Sequence, residues 1–377
     1  MKIQQYQKKK DGKWKSLKGY DGILKRPLVM VFGNRYLLED AIIFDEIRHM
    51  YPDGEIVIGS SAGEIVNESV SDSSISLTAV EFEKSEFTIV RENILEHQKD
   101  AFVTGKKLSE KLPTANLKHV FILSEGSFVN GSALISGLES IGNEVVFTGG
   151  LCGDDARFEK TIVGYNSTPK EGEIIAIGFY GDELDITSAQ FGGWTPFGPE
   201  RIVTKSNGNV LYELDEQPAL DLYKKYLGDK ASDLPQSALL YPLSVKIKGK
   251  KEAIVRTILS IDEKDNTMIL AGDVPEGSVV QLMMANIDKI AEGAAKAAEI
   301  GMKTRKKNPD LAILVSCIGR KLVMDQRVEE EIEEVIEVVG KGATITGFYS
   351  YGELAPFSNS MKCELHNQTM TLTLLSE

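Results

Sequence analysis

The sequence predicts an α/β protein of mixed α+β layers, with repeated β-α-β units and mixed sheets, arranged as two domains packed together. Three observations carry this. A strand–helix–strand pattern occurs three times along the chain. Each copy closes in two spaced glycines followed by Asp or Glu. Short strand-like segments follow every such turn.

The first copy opens with the buried-strand run PLVMVFGNR (27–35). A helix pattern follows over 36–50, then a strand over 54–64 that ends in Gly59, Gly63 and Glu64. Strand-like segments cover 74–82 and 86–90. The second copy starts at HVFILSEG (119–126), continues as a helix over 132–142, and ends in the strand NEVVFTGGLCGDD (143–155). Three strands are predicted after it, over 161–166, 173–180 and 184–191. The third copy comprises LAILVSCIGR (311–320), a helix over 326–340 with Gly340 at its C-terminal cap, and GATITGFYSYGE (342–353). Strands over 362–367 and 368–377 complete it. A β-α-β unit needs a right-handed crossover within one sheet, whereas the short trailing strands suit antiparallel pairing.

Between the second and third copies the pattern changes. Residues 214–228 read as a helix closed by Gly228, and 238–248, 253–272 and 278–285 read as strands, with a hairpin turn at Asp265 and Asn266. An Ala-rich helix covers 286–306. Turn-formers cluster over 192–215, which places a boundary there. The expected organisation is a basic tail over 1–26, an N-terminal domain over 27–200 with two repeats, and a C-terminal domain over 201–377 with the third repeat at 311–377.

Composition narrows the function. The net charge is −13, yet residues 1–26 carry nine Lys/Arg against two Asp. The rest of the chain is therefore acidic by 20 charges, which argues against phosphate-backbone binding and nucleic-acid partners. The basic end could touch membrane or RNA, but reads first as a solvated, poorly ordered tail. No apolar run is long enough to span a bilayer, and no apolar segment stands behind the basic start as in a signal peptide. Three cysteines and no Cys or His pair at metal-ligand spacing point to a reducing, cytoplasmic setting without a structural metal. No cofactor motif is present: the glycine spacing lacks the Lys-Ser/Thr of a phosphate loop.

Several segments, in order, resemble those of FIST domains: 129–161, GGWTPFGPERIVTKSNGNVLYELDEQPALDLYKKYLG (192–228), VRTILSID (255–262), LAGDVPEGSVVQLM (270–283), SCIGRK (316–321), GFYSYGELAP (347–356) and HNQTMTLTLL (366–375). The resemblance covers about 27–377 and implies N-terminal and C-terminal FIST halves. It further implies a sensor of small ligands, such as amino acids, in bacterial signal transduction, with output through a separate signalling protein. The usual second-turn motif has Ala where this chain has Cys152 and Gly where it has Asp155.

Candidate ligand-binding residues gather at the second and third turns. Closely spaced glycines let a ligand approach backbone N–H groups, here around Gly153, and Asp154 or Glu353 could accept hydrogen bonds from an amine. The same carboxylates could instead cap their turns. Arg157, Arg256 and Arg320 could hold a ligand carboxylate bidentately, or form internal ion pairs. Phe158, Tyr349 and Tyr351 could wall a pocket or belong to the core. Cys152 and Cys317 are either small buried thiols or, in an enzyme acting on an acyl or amide substrate, nucleophiles. A scaffold without a ligand is the third reading. No catalytic residue is assigned.

Overall fold

The computed structural model describes residues 1–10, 12–142, 144–305, 307–357 and 361–377. Asn143 and Lys306, where the sequence begins a strand and ends a helix, lie outside the described residues. The mixed α+β architecture is present. Strands among the described residues form four sheets.

Three sheets belong to the three repeats. In each, the two strands of a β-α-β unit pair in parallel: Leu28–Gly33 with Glu55–Ser60, Leu117–Ser124 with Val146–Leu151, and Leu311–Cys317 with Thr344–Ser350. The repeat's own later strand returns antiparallel on the other side of the first: Ser74–Glu81, Glu173–Tyr180 and Met370–Ser376. Helices Ala41–Met50, Gly131–Leu138 and Glu330–Val339 make the crossovers.

The repeats then exchange strands in a ring. The strand after each glycine turn leaves its repeat. Glu64–Val66 joins the third repeat's sheet, Val163–Tyr165 the first, and Gly352–Pro356 the second. A tail strand moves the other way. Glu86–Asn93 joins the second sheet and Asp185–Phe191 the third. The remaining place, beside Ser74–Glu81, is taken by Lys2–Lys9.

That strand corrects the expectation of a poorly ordered basic tail. Lys2–Lys9 and Lys15–Gly19 form a hairpin on the first sheet. The segment KIQQYQKK lacks apolar alternation, so its burial is unreadable from pattern. It is held by polar contacts instead: the amide nitrogen of buried Gln5 donates to Thr78 Oγ1 at 3.2 Å and to the Ile345 carbonyl at 2.8 Å. Tyr6 and Trp14 pack with Ile43 and Ile47 of the first repeat's helix.

Alternation along the strands sorts side chains between two layers. Leu311, Ile313 and Val315 join Phe32, Phe121 and Phe348 in one central cluster to which all three repeats contribute. Ala312 and Leu314 face outward onto helices Ile287–Met302 and Glu330–Val339. The second and first repeats have outer clusters of their own. Inner faces also meet through hydroxyls: Thr78 Oγ1 lies 2.9 Å from Thr346 Oγ1, and Thr148 Oγ1 lies 2.7 Å from Thr373 Oγ1.

The fourth sheet is formed by strands of 195–284 and packs on helix Ala219–Leu227 with its own core. It lies in sequence between the second repeat's tail strand and the third repeat. Three local expectations change here and next to it. Gln236–Leu240 is a 3-10 helix, not strand. Cys317 ends its strand, so Arg320 lies in the helix Ile318–Met324. Val210–Leu214 is a strand and the following helix starts at Ala219.

Candidate functional site

The second turn is built by Gly149. Its φ is 134°, and a β-carbon there would stand 1.9 Å from the Ile122 carbonyl oxygen. The chain then makes a wider loop than in the other repeats. Asp154 closes it. Its buried carboxylate accepts from the backbone N–H groups of Phe158 at 3.0 Å, Glu159 at 3.2 Å and Lys160 at 3.0 Å. It also accepts the hydroxyl of Tyr351. Four donors occupy this carboxylate, which leaves it organising the loop. Arg157 pairs with Asp155 at 2.6 Å and lies over the Tyr36 ring. Gly153 and Cys152 sit beneath the turn, and Cys152 is in the central cluster.

Strand register shows that the acidic residues do not all correspond. Phe348 faces Glu64, Gly150 faces Glu353, and Gly59 faces Val163. Glu64 and Glu353 therefore share one place, while Asp154 belongs to the extra loop. Glu64 accepts from Ser61 at 2.7 Å and Ser74 at 2.6 Å. Glu353 accepts from Ser350 at 2.6 Å, Thr369 N at 3.1 Å and Thr369 Oγ1 at 2.9 Å. Burial outweighs these donors and pushes Glu64 up to about 8 and Glu353 up to about 7.

The arginines are spent internally. Arg320 donates through Nε to Glu331 at 2.9 Å, to the Gly192 carbonyl, and to the Ile290 carbonyl at 2.8 Å. Tyr349 donates to the same Glu331 at 2.6 Å. Arg256 donates to the carbonyls of Asp273 at 3.2 Å and Leu365 at 2.7 Å, and Gly272 packs against its guanidinium. Burial lowers it to about 10. Burial likewise raises the Cys152 and Cys317 thiols above their ordinary value.

What the structure brings together is the aromatic pair. Phe158 stacks on Tyr351 with ring centroids 4.4 Å apart and planes at 18°. This pair lines a cleft of about 900 Å³. One wall comes from the second repeat: Gly126 to Asn130, Leu151, Ala156 and Phe158. The opposite wall comes from the fourth sheet and its loops, including Leu239, Leu240, Ile258, Leu259 and Gly272. Leu322 and Tyr351 of the third repeat complete it. Phe158 is 43% exposed, and Leu240, Leu259 and Leu322 are exposed as well. Among the described residues, none of the side chains lining the cleft is charged.

Of the residues singled out in the sequence, Phe158 and Tyr351 line the cleft. Asp154 fixes them from behind, and Arg256 lies behind Gly272. Arg157, Arg320, Cys152, Gly153, Cys317, Tyr349 and Glu353 do not line it. The loop at 126–130 was missed. Its signal was available: buried Glu125 accepts from Ser127 N at 2.6 Å and Phe128 N at 3.2 Å, and Asn130 caps the next helix through Ala133 N at 3.0 Å. A Glu-Gly-Ser and an Asn just ahead of an apolar helix mark such a loop. Leu240, Leu259 and Leu322 carry no comparable signal.

An uncharged cleft between segments of both halves is the kind of concave surface at which small molecules bind in proteins generally. Residues 27–217 match the FIST N domain and residues 219–356 the FIST C domain. The chain belongs to the FIST family, whose domains are small-ligand sensory domains of signal transduction. It is 24% identical over 350 residues to an uncharacterized protein of Methanocaldococcus jannaschii, covering 83% of this chain and 64% of that one. It is 22% identical over 189 residues to an uncharacterized protein of Mycobacterium tuberculosis, covering 48% of this chain and 49% of that one. The chain thus spans less than two thirds of either relative. A crystal structure of a chorismatase aligns over 99% of this chain and 98% of its own at 7% identity, with a TM-score of 0.33, a level that carries nothing for activity.

Proposed function

We propose that this chain is a sensor whose small ligand binds in the cleft between its two halves. One observation carries the reading: exposed apolar side chains from both halves converge on a concave, uncharged cleft of about 900 Å³. That volume suits a ligand of drug-like size. Leaving Phe158, Leu240, Leu259 and Leu322 in water costs stability that a bound apolar body recovers, at roughly 25 cal/mol per Å² covered.

An amino acid or small carboxylate, the class the family resemblance implies, needs a charged partner. Arg256 and Arg320 are committed to protein acceptors. A neutral ligand with an apolar or aromatic body suits the lining better, with Asn130, Asn209 and Gln236 as polar handles. Binding signals only by favouring one arrangement of the walls over another. The walls belong to the second repeat and the fourth sheet, so their spacing is the variable. A separate output protein reads that spacing. Three free, buried thiols suit work in the reducing cytoplasm.

A thermal-shift screen of neutral and charged metabolites tests this. A ligand at about a hundredfold its Kd adds about 2.7 kcal/mol of stability. Neutral, apolar-bodied compounds should raise the melting temperature, and Phe158→Ala should abolish most of the rise. A broad library with no stabilising compound, or one whose effect ignores Phe158→Ala, rejects the cleft as the site.

A further inference from the structure

We propose that Asn367, buried beside the Tyr351 and Leu151 wall of this cleft, forms a subsite for a neutral group that both donates and accepts a hydrogen bond: a carboxamide or a lactam edge. The inference rests on the cleft being the ligand site and specifies the chemistry bound there.

It comes from comparing two junctions between repeats. Gly33 faces Ile75 and Ser316 faces Met370 in the equivalent strand pairs. Counting back from these, Asp72 in the first repeat and Asn367 in the third occupy the same place. Ala62 and Tyr351 also correspond: Ala62 N donates to the Tyr349 carbonyl, and Tyr351 N to the Leu151 carbonyl.

At the junction of the third repeat with the first repeat's turn, Lys321 fills the gap. Its ammonium donates to the Ala62 carbonyl at 2.8 Å and pairs with Asp72. At the junction of the second repeat with the third repeat's turn, the segment 125–130 carries no basic residue. The cleft opens there, between that segment and Tyr351. Asn367 therefore keeps the place of Asp72 without a counterpart to Lys321.

The Asn367 side chain is itself unsatisfied. The residue is 1% exposed, and neither Oδ1 nor Nδ2 has a hydrogen-bond partner among the described residues. Buried polar groups are nearly always paired, so a carboxamide with both ends open calls for one. Asn367 adjoins Gly352. A β-carbon at Gly352 would stand 2.9 Å from Leu365 Cδ1, 3.3 Å from Leu151 Cδ1 and 3.6 Å from Asn367 Nδ2. Gly352 follows Tyr351 and pairs with Leu151, and both of those line the cleft. A group reaching Asn367 from the cleft displaces the Leu365 and Leu151 side chains beside Gly352.

The partner's chemistry follows from the change of Asp72 to Asn367. A carboxylate selects a cation, as Lys321 shows. A carboxamide with free donor and acceptor selects its own complement. The uncharged lining excludes an isolated charge for the same reason. The bound group is thus neutral, with its apolar body against the Phe158–Tyr351 stack.

Three probes of one shape test this: 3-phenylpropanamide, 4-phenylbutan-2-one, which lacks the N–H donor, and 3-phenylpropanoate. Dissociation constants for the native protein come from ligand-detected NMR titration. The amide should bind at least about tenfold more tightly than either of the others, since a site built to hydrogen-bond rejects the analogue that leaves it unpaired. Asn367→Leu should erase that preference while leaving the melting temperature unchanged or higher, because it removes an unpaired buried carboxamide. Asn367→Asp should turn preference toward 3-phenylpropylamine, restoring the Asp72–Lys321 chemistry. Equal binding of all three probes by the native protein, lost in Phe158→Ala, overturns the subsite and keeps the cleft. A preference that survives Asn367→Leu also overturns the subsite, and points to buried water on Asn367. No binding by any probe overturns both.

Discussion

Glu64 and Glu353 sit at the same place in two repeats, and both are held toward the protonated form by burial. Their ordinary value is 4.5, and in the folded chain they titrate at about 8 and about 7. Between those limits the folded state keeps protons that the unfolded chain has lost. The stability they contribute is complete below the ordinary value and is lost as pH rises through the folded values. Other charges face Glu64: Asp72 raises it further and Lys321 lowers it. Glu353 faces Arg320, which lowers it. Glu64→Gln and Glu353→Gln mimic the protonated form. Each variant should lose less stability than the native protein between about pH 5 and pH 8, by an amount on the order of a few kcal/mol. Urea titrations at both pH values measure this. Parallel pH dependence in native and variant proteins would show that neither carboxyl is held protonated. The residue scale is also where sequence reading reached least far. Arg320 and Arg256 were recognised as residues that must pair or bind, but nothing in one dimension supplies Glu331 or the Leu365 carbonyl. Asp154 was marked by its glycines as part of a repeated acidic turn, whereas strand register gives that place to Val163.

At the scale of elements, the β-α-β units were legible because each carries a pattern of its own: period two in the strands, a helical stripe, and a glycine at the end. The exchange of strands was not. Alternation says that a strand is buried and says nothing about its neighbour. Lys2–Lys9 is the extreme case, with no apolar alternation and yet a full antiparallel ladder along Ser74–Glu81. Its Gln5 ties the first sheet to the third through the Ile345 carbonyl. Deleting residues 1–20 would leave the edge of Ser74–Glu81 unpaired and uncover Tyr6 and Trp14's side of the first helix. The truncated protein should lose at least about 3 kcal/mol, with earlier loss around the first repeat than elsewhere. Hydrogen exchange followed by mass spectrometry resolves this by segment. Unchanged protection in 28–33 and 74–81 would mean that the strand is an ornament of the sheet. The cleft shows the same limit. Its leucines come from separate helices, turns and strands, each unremarkable alone, and only the fold sets them side by side.

At the scale of the whole molecule, the three sheets form a closed ring of exchanges. Each repeat sends its turn strand one way and its tail strand the other. The third repeat's tail place on the first sheet is filled by Lys2–Lys9, which enters from the other side of the sequence. The structure therefore has threefold order in space that the chain visits from an arbitrary starting strand. The Met1 ammonium lies 3.4 Å from the Glu377 carboxylate, beside Met370–Ser376 and Lys2–Lys9. Joining residues 377 and 1 by a short Gly/Ser linker makes Lys2–Lys9 the literal tail strand of the third repeat. New ends can then open at Asp182 and Glu183, an exposed turn between Glu173–Tyr180 and Asp185–Phe191. Exposed turns of this kind tolerate permutation best. The permuted protein should fold cooperatively within about 2 kcal/mol of the native chain, since every ladder is retained and only loop closure changes. Opening instead between Ser60 and Ala62, inside a buried junction, should cost far more. Urea unfolding of the two permutants separates the cases. If both permutants lose stability equally, position in the ring is not what protects the first, and the strand order along the chain, not only its place in space, is needed to build the cleft.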